Sequence, residues 1–276
     1  MSRLSGKTQL APSWCVEGFG LIRQRFNFRS IAVGRWVTPV ERDSAAGRFY
    51  DALCHLMQVL QGTEQLISLR GTLSLQYGIG NQLGMAAHYH PAQRTFSLAK
   101  NAGAGCIAHE WFHAFDHYIA DKAFAGLAGQ RFASDLWLND VQRVTHPLNE
   151  LLMDCFRAIL LDQRGEGASD LLRASRAIDT KSGHYYYSRP EEACARAFEA
   201  YVQDAPVKNA FLVKGTIVSE EAFLGLYPQG DQRQRINRAF RRYFERLGGA
   251  LRAEAMPPDE SSPYVRGREP GWPAQR

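Results

Sequence analysis

The chain has 276 residues, of which 45% are hydrophobic, and its 33 Lys and Arg residues exceed its 28 Asp and Glu residues by five. This length is enough for one large domain that buries about three quarters of its unfolded surface. No stretch reaches the roughly 20 apolar residues of a membrane-spanning helix, and no signal peptide precedes the domain. The cysteines are odd in number and widely spaced, which favours buried thiols over a disulfide framework. We therefore expect a cytoplasmic protein without membrane association.

The predicted elements, taken in chain order, indicate an α+β fold that is mostly helical. Apolar residues at helical spacing predict helices over 46–60, 106–120, 135–163 and 232–250. Alternation of apolar and polar residues predicts strands over 72–77 and 94–99. Because few strands are predicted among many helices, we expect a small sheet beside a helical core.

We expect one domain over residues 16–250, because no repeat and no low-complexity linker interrupts this part of the chain. A short N-terminal segment, residues 1–15, precedes the domain. Residues 251–276 are rich in proline, glycine and charged side chains, a composition that cannot bury enough apolar surface to order a segment. This composition predicts a flexible C-terminal tail.

The most informative motif is the H-E-x-x-H pattern of residues 109–113, which is typical of helices that bind a catalytic zinc ion. Four residues advance a helix by roughly one turn, so His109 and His113 share one face and their rings can meet one ion. Glu110 lies on the flank of that face, where a general base could act on water. The helix is otherwise apolar nearly all round, which predicts burial. The alternative is a pair of core histidines hydrogen-bonded to backbone carbonyls.

A second helix is predicted to begin after the three consecutive tyrosines. Ser188 and Glu191 form the S-x-x-E pattern of a helix N-terminus, and Pro190 suits the first helical turn. Glu192 lies near the start of this helix, beside alanines that allow another helix to approach closely. A catalytic zinc ion usually has three protein ligands, so the third is sought in this segment.

The two helices resemble the active-site helices of zinc metallopeptidases of the anthrax lethal-factor type. The similarity lies in H-E-x-x-H-A-x-D-x-Y at 109–118 and in E-A-C-A-R-A-F at 192–198. It implies a zincin-like domain with one Zn²⁺ ion per chain. The ligands that it implies are His109, His113 and Glu192.

The same resemblance implies two catalytic residues. Glu110 corresponds to the general base that takes a proton from water. A tyrosine shortly before the glutamate helix faces the metal in that family, and here it is one of Tyr185, Tyr186 and Tyr187. Tyr185 has the spacing closest to the family pattern, and we expect it to be the metal-facing residue.

A larger part of the chain, roughly residues 20–245, resembles the CLCA_X family. That family is related to the first of the large polyvalent-protein-associated domains of phage and mobile-element proteins. The residues that carry the similarity are Phe26–Ser30, Gly34–Val37, Ile67–Gly71, Ala87–Tyr89 and Gly103–Gly105. Zincins commonly place the strand before the H-E-x-x-H helix, here 94–99, at the edge of a small sheet, where an extended peptide can pair with it.

One departure from the lethal-factor pattern concerns the groups around the metal ligands. Such enzymes often have a carboxylate four residues after the glutamate ligand, where this chain has Arg196. Asp116 and Glu199 are the alternatives for orienting a zinc-bound imidazole, and we favour Asp116. Arg196 is expected to bridge to Glu192 or Glu199 at helical spacing.

Other histidines allow functional interpretations. His88 and His90 alternate along the chain, and we interpret them as surface residues rather than as a second metal site. His117 lies too far along its helix to share an ion with both motif histidines, so we expect it to pack or to contact a ligand. His184 and Arg189 are candidate donors to an oxyanion.

These residues predict a zinc metallopeptidase, a hydrolase that cleaves a polypeptide substrate with Glu110 as general base. Hydrolysis of a small amide is one alternative. A different class is a catalytically inactive or weakly active, metal-stabilised accessory or binding protein of phage or mobile-element origin, associated with nucleic acid. The arginine-rich 232–250 segment would suit phosphates, although we interpret it as the solvated face of a surface helix.

Overall fold

Apolar residues at helical and strand spacing produce ten helices and four strands in the computed structural model, which describes residues 18–79, 87–100, 105–126 and 131–255. The helices are α1 (Phe19–Phe26), α2 (Pro39–Val59), α3 (Glu64–Ile67), α4 (Ile107–Ala123), α5 (Ala133–Leu138), α6 (Pro147–Leu160), α7 (Asp170–Ser182), α8 (Pro190–Asp204), α9 (Glu220–Phe223) and α10 (Gly230–Ala255). The strands are β1 (Ser30–Val33), β2 (Ser74–Tyr77), β3 (Ala87–His90) and β4 (Thr95–Leu98). The predicted α+β class is confirmed.

The ends of the chain bear on the predicted domain boundaries. The N-terminal segment 1–15 and residues 256–276 lie outside the described residues. Residues 251–255, expected to begin the flexible tail, instead form the last turn of α10, where Leu251 is buried. Among the described residues, no helix combines the length and the apolar character that crossing a membrane requires.

The four strands form one mixed sheet in the order β1-β2-β4-β3. Strands β1, β2 and β4 are parallel, and β3 is antiparallel to β4. The prediction that the strand before the H-E-x-x-H helix lies at the edge is therefore wrong, because β4 lies between β2 and β3. All four residues of β4 are buried, as expected for a strand with neighbours on both sides. Among the residues that the structure describes, the edge on this side of the sheet is β3, which is only half-buried.

Helices α2, α4, α8 and α10 and strands β2 and β4 confirm predicted elements, with ends that differ by a few residues. The largest extension is at α2, which begins at Pro39 rather than at residue 46. A capping box accounts for it. The Glu41 backbone N–H donates to Thr38 Oγ1 at 3.4 Å, and the Thr38 backbone N–H donates to Glu41 Oε2 at 2.9 Å.

The prediction of a single helix over 135–163 is wrong, because this segment contains the two helices α5 and α6. The chain turns between them, where Asp140 has a left-handed backbone with φ of +51° and Arg143 forms a bridge with Phe124. The second helix then starts at Pro147, whose missing N–H costs nothing in the first turn.

An aromatic core joins α4, α8 and α10. Trp111 and Phe112 on α4 stack against Phe198 on α8, with ring centroids 5.5 and 4.9 Å apart. Phe240 and Phe244 on α10 pack against the same Phe198 ring at 5.6 and 5.8 Å. All five side chains are fully buried, so the core holds the H-E-x-x-H helix directly beside the helix that carries Glu192.

The cysteine prediction is confirmed in part. Cys155 and Cys194 are buried, whereas Cys54 and Cys106 are half-buried, and none of these four forms a disulfide among the described residues. Burial raises the pKa of Cys155 and of Cys194, so both are held as unreactive neutral thiols within the core. Cys15 lies outside the described residues.

Two adjacent glycines of α10 have opposite surroundings and test how closely the helices pack. A Cβ on Gly248 would lie 2.1 Å from the backbone oxygen of Gln61, whereas a Cβ on Gly249 would have no atom within 4 Å. We expect Gly248→Ala to lower the free energy of unfolding by about 1–3 kcal/mol, because α10 must move away from Gln61. We expect Gly249→Ala to raise it by about 0.5–1 kcal/mol, because alanine is the better helix former. Urea unfolding measures both, and equal effects would contradict the close approach.

Candidate metal centre

The H-E-x-x-H helix α4 starts against a segment that follows α8. The N-cap residue Cys106 gives no side-chain cap, and the backbone N–H groups of Gly105 and Ala108 donate to the carbonyls of Phe211 and Leu212 at 3.1 Å each. Gly105 has a φ of +107°, and a Cβ there would lie 2.5 Å from Lys214 Cγ. Only glycine fits this position, so the start of α4 is fixed against residues 211–214.

His109, His113 and Glu192 converge as the motif and the resemblance predicted. The two Nε2 atoms of the histidines are 3.0 Å apart. Glu192 Oε2 lies 3.4 Å from His109 Nε2, and Glu192 Oε1 lies 3.5 Å from His113 Nε2. Within the part of the chain that the structure describes, this is the one group of three or more His, Cys, Asp and Glu side chains arranged to hold a metal ion.

The shape and chemistry of the triad fit a metal ion. Ligands at about 2.0–2.1 Å from a tetrahedral ion lie roughly 3.3 Å from one another, close to the three observed separations. Glu192 Oε2 is buried and has no hydrogen-bond partner, so a cation would satisfy it. Burial and the nearby His109 lower the pKa of His113 to about 3, which leaves a neutral imidazole ready to bind. The group can therefore hold a metal ion.

Glu110 lies beside the triad and is buried. Burial raises the pKa of Glu110 to about 7, and the charge of His109 opposes this rise only in part. The neighbouring carboxylates of Glu192 and Glu199 add to the rise, because like charges disfavour ionisation. The backbone amide of Tyr89, on the edge strand β3, also contacts this carboxylate and links the strand to the site. Glu110 can therefore exchange a proton near neutral pH.

The carboxylate that orients a histidine is Glu199, and the preference for Asp116 is wrong. His109 Nδ1 donates to Glu199 Oε2 at 2.9 Å, and the Tyr227 hydroxyl donates to the same oxygen at 3.3 Å. Asp116 instead accepts hydrogen bonds from the backbone and the hydroxyl of Ser134 at 2.9 and 2.5 Å. Glu199 lies seven residues after the glutamate ligand, two helical turns along the same face of α8, and that spacing was the signal to follow.

Arg196 does not bridge to either carboxylate of α8, contrary to expectation. Its guanidinium is buried and donates to the Leu226 carbonyl at 2.7 Å, to Ser175 Oγ at 2.9 Å and to the Tyr187 carbonyl at 2.6 Å. It also lies over the Tyr187 ring, 5.4 Å from the centroid. Arg196 therefore fastens two loops and α7 to the helix that carries Glu192.

Tyr186, rather than Tyr185, lines the site. The side chain of Tyr185 is 64% exposed and its ring lies beside the Arg189 guanidinium, away from the triad. Tyr186 and Tyr187 line the same cleft as His109 and Glu192. The hydroxyl of Tyr186 is partly withdrawn from water and lies near Glu192, and both effects raise the pKa of Tyr186, so its phenol stays protonated. Spacing along the sequence misplaced the tyrosine because the loop turns just before α8.

The remaining predicted positions lie outside the cleft. His88 and His90 contact each other on β3, and no third ligand accompanies them among the described residues. His117 is buried and its Nδ1 lies 2.8 Å from the Tyr89 hydroxyl, so it holds the edge strand against α4. His184 is exposed, and Arg189 donates to the Tyr185 carbonyl, so neither is placed to serve an oxyanion.

The triad opens into a cleft with a volume of about 960 Å³. One wall is the tyrosine segment before α8, and the other is the segment from 213 to 228, which links α8 to α10. The tyrosine wall was expected from the resemblance, whereas the 213–228 wall was missed by sequence reasoning, because it has no regular apolar period. The residues that line the cleft include Ala87, Lys214, Val218, Glu221 and Tyr227.

Comparison with known families finds one match. The family described as large polyvalent protein-associated domain 1 is similar to residues 178–251, from the end of α7 to the last turns of α10. The match contains Glu192, Glu199 and both walls of the cleft, but not the H-E-x-x-H helix. No curated protein and no solved structure is similar to the chain. The resemblance to lethal-factor-type peptidases stays a prediction.

Removing the charge of Glu199 tests the second carboxylate. We expect Glu199→Gln to weaken zinc binding roughly 10- to 100-fold, because His109 loses the charged acceptor that orients its ring. Glu221→Gln is the matched control, since Glu221 lines the same cleft without bonding to either histidine. Competition with a chromogenic chelator measures both affinities. Equal zinc affinities for the two variants would contradict the role of Glu199.

The loop that carries Tyr186 depends on the buried Asp179. Its carboxylate accepts from the backbone of Tyr187 at 2.9 Å and from the backbone and hydroxyl of Ser188 at 2.7 and 2.6 Å. Burial alone would raise the pKa of Asp179, but these hydrogen bonds outweigh burial and lower it. The stabilisation is therefore present above the unfolded pKa of about 3.9 and is lost as the pH falls through the lower folded value.

We accordingly expect Asp179→Asn to lower the free energy of unfolding by about 1–3 kcal/mol at pH 7, because buried donors lose a charged acceptor. The difference from wild type should shrink when the pH is reduced to about 3. Urea unfolding at the two pH values measures this change. A difference that is the same at both would show that the charge of Asp179 contributes nothing.

Proposed function

We propose that the chain is a zinc-dependent peptidase, a hydrolase that cleaves a peptide bond in a polypeptide substrate. The observation that carries this proposal is the buried Glu110 beside a His-His-Glu group that opens into a cleft. Structural zinc sites are closed by four protein ligands, whereas the described residues supply three and leave the fourth side to the cleft. Two imidazoles and one carboxylate are a donor set that suits zinc.

Each residue of the site has a role in this chemistry. A Zn²⁺ ion held by the triad would polarise a substrate carbonyl and lower the pKa of water. Glu110, buried beside the triad, takes the proton of the attacking water and passes it to the leaving amine. Glu199 accepts from His109 Nδ1, which leaves Nε2 free as the ligand atom. The protonated Tyr186 phenol donates to the carbonyl oxygen as that oxygen gains charge.

The edge strand supports a polypeptide substrate over a small amide. Among the described residues β3 pairs only with β4, and its first residue, Ala87, lines the cleft. An extended peptide can add to such an edge by main-chain hydrogen bonds and pass over the triad. The cleft is open to solvent, so the ends of a longer chain can leave it on either side.

The second candidate function is a metal-stabilised accessory or binding protein. The match of residues 178–251 to large polyvalent protein-associated domain 1 favours it, since that description names association with a large polyvalent protein. A nucleic-acid partner has weaker support. It draws only on the basic helix α10, where Arg238, Arg241, Arg242 and Arg246 are exposed, while Arg233 is bound to Asp204 at 2.7 Å and to Thr216 at 2.8 Å.

Replacing the general base tests the peptidase proposal. We expect zinc-loaded wild type to cleave members of a library of internally quenched decapeptides, and Glu110→Gln to lower the rate roughly 10²- to 10⁴-fold. The variant should still bind one zinc ion per chain, because Glu110 is not a ligand. Elemental analysis checks the metal content. Cleavage by the variant at the wild-type rate would contradict the proposal.

The two neighbouring tyrosines provide an internal comparison. We expect Tyr186→Phe to lower kcat about 10²-fold, because one donor to the developing oxyanion is lost. Tyr185→Phe should leave kcat unchanged, since this side chain points away from the cleft. Steady-state cleavage of one library peptide by both variants measures the effect. A larger loss in Tyr185→Phe would restore the assignment made from sequence spacing.

A further inference from the structure

Exposed apolar side chains occur on both walls of the metal cleft. Besides Tyr185, which points away from the cleft, five of the thirteen exposed large hydrophobic residues in the described part of the chain belong to these wall segments. We call these five the apolar rim; they are Tyr186, Ile217, Val218, Phe223 and Leu224, of which Tyr186 and Val218 line the cleft itself. Val218 and Phe223 are 75% and 77% exposed, values at which a folded protein gains nothing from an apolar side chain. Such patches mark interaction sites.

The apolar rim is held by an ordered backbone. Asp179 and Arg196 hold the tyrosine wall through Tyr187 and Ser188, and Arg196 also holds the Leu226 carbonyl of the other wall. Within that second wall, Ser219 Oγ caps α9 by accepting from the backbone of Ala222 at 3.1 Å. The exposed side chains are therefore presented in fixed positions, as a binding surface requires.

The position of the rim connects it with the metal site. Tyr186 on one wall and Val218 on the other line the same cleft as His109 and Glu192. Ala87 at the start of the edge strand lines that cleft as well. A chain that lies along β3 would thus place a side chain between the two apolar walls, next to the bond above the triad.

Shape and polarity favour one occupant of this surface. The cleft lining carries charges of both signs, Glu192 and Glu199 together with Arg196 and Lys214, so it offers no uniformly basic surface to the phosphates of nucleic acids or of anionic lipids. An extended peptide with a large apolar side chain can instead pair with the β3 edge and place that side chain against Tyr186 and Val218. A cleft also receives one chain between two walls, which a flat membrane surface cannot match.

We propose that the apolar rim is a substrate-binding surface that selects polypeptides with a large aliphatic or aromatic side chain next to the scissile bond. This inference rests on the proposed peptidase function, whose substrate class it specifies. Val218, which is exposed and lines the cleft, is the specificity-determining residue that contacts this side chain. Polar and charged side chains at the same position bind more weakly, because they would lose water against the apolar walls.

Peptide binding without turnover tests the proposal. The probes are four fluorescein-labelled decapeptides of Gly, Ser and Asn that carry a central Leu, Ser, Lys or Glu, titrated against the full chain with Glu110→Gln and zinc. Fluorescence anisotropy should show at least tenfold tighter binding of the Leu peptide. Adding Val218→Ser should weaken its binding about tenfold, and adding Val40→Ser should not. Val40 is the matched control, an 80% exposed valine on α2 that does not line the cleft.

Three results would overturn the proposal. These are equal affinity for all four peptides, a preference for Leu that survives both Val218→Ser and Phe223→Ser, and tighter binding of single-stranded DNA or anionic vesicles than of the Leu peptide. Circular dichroism confirms that each surface variant is folded. Binding of the Leu peptide that depends on Val218, with no cleavage by the wild type, would leave the surface in place and refute the peptidase. Cleavage by the wild type without any preference for Leu would support the peptidase and refute the substrate-binding surface.

Discussion

The site depends on one physical constraint. Polar side chains on a helix that is almost entirely surrounded by apolar residues must find hydrogen-bond or charge partners inside the core. His109, Glu110 and His113 lie on α4 between aromatic residues that bury the helix against α8 and α10. Buried imidazoles and carboxylates are costly unless they are paired. Helix α8 supplies these partners, because it places Glu192 and Glu199 beside the two histidines. The packing that forms the core therefore also assembles the triad.

The charges around the triad explain why this chain differs from the pattern that it resembles. Glu110, Glu192 and Glu199 converge in a small volume, and the charges of Glu192 and Glu199 add to the effect of burial that raises the pKa of Glu110. The buried guanidinium of Arg196 offsets part of this charge, and a divalent ion held by the triad would offset more of it. Arg196 acts at a distance, because its hydrogen bonds go to carbonyls and to Ser175. A carboxylate at that position would have added a fourth negative charge, and Glu199 takes the place next to the histidine instead.

The cleft walls are built by the same residues that support the ligand helix. Asp179 and Arg196 hold the tyrosine loop, and Arg196 also holds the loop that ends at Leu226. Gly105 fixes the start of α4 against the beginning of that second wall. Support for the metal ligands and presentation of the apolar rim are therefore coupled. This coupling fits a site in which residues that bind substrate and residues that bind metal must keep one relative geometry.

The local sequence pattern was sufficient to predict two helices, the one that carries His109, Glu110 and His113 and the one that carries Glu192. Helical spacing and the signals of a helix N-terminus are short-range properties of the chain. The predicted resemblance to lethal-factor-type peptidases was needed to pair those two helices. The tertiary structure alone decided that β3 rather than β4 is the edge strand, that Glu199 rather than Asp116 contacts His109, and that Tyr186 lines the cleft. Each of these three outcomes depends on how segments that are distant in the sequence pack together. In a loop, a shift of one residue changes which side chain faces the site.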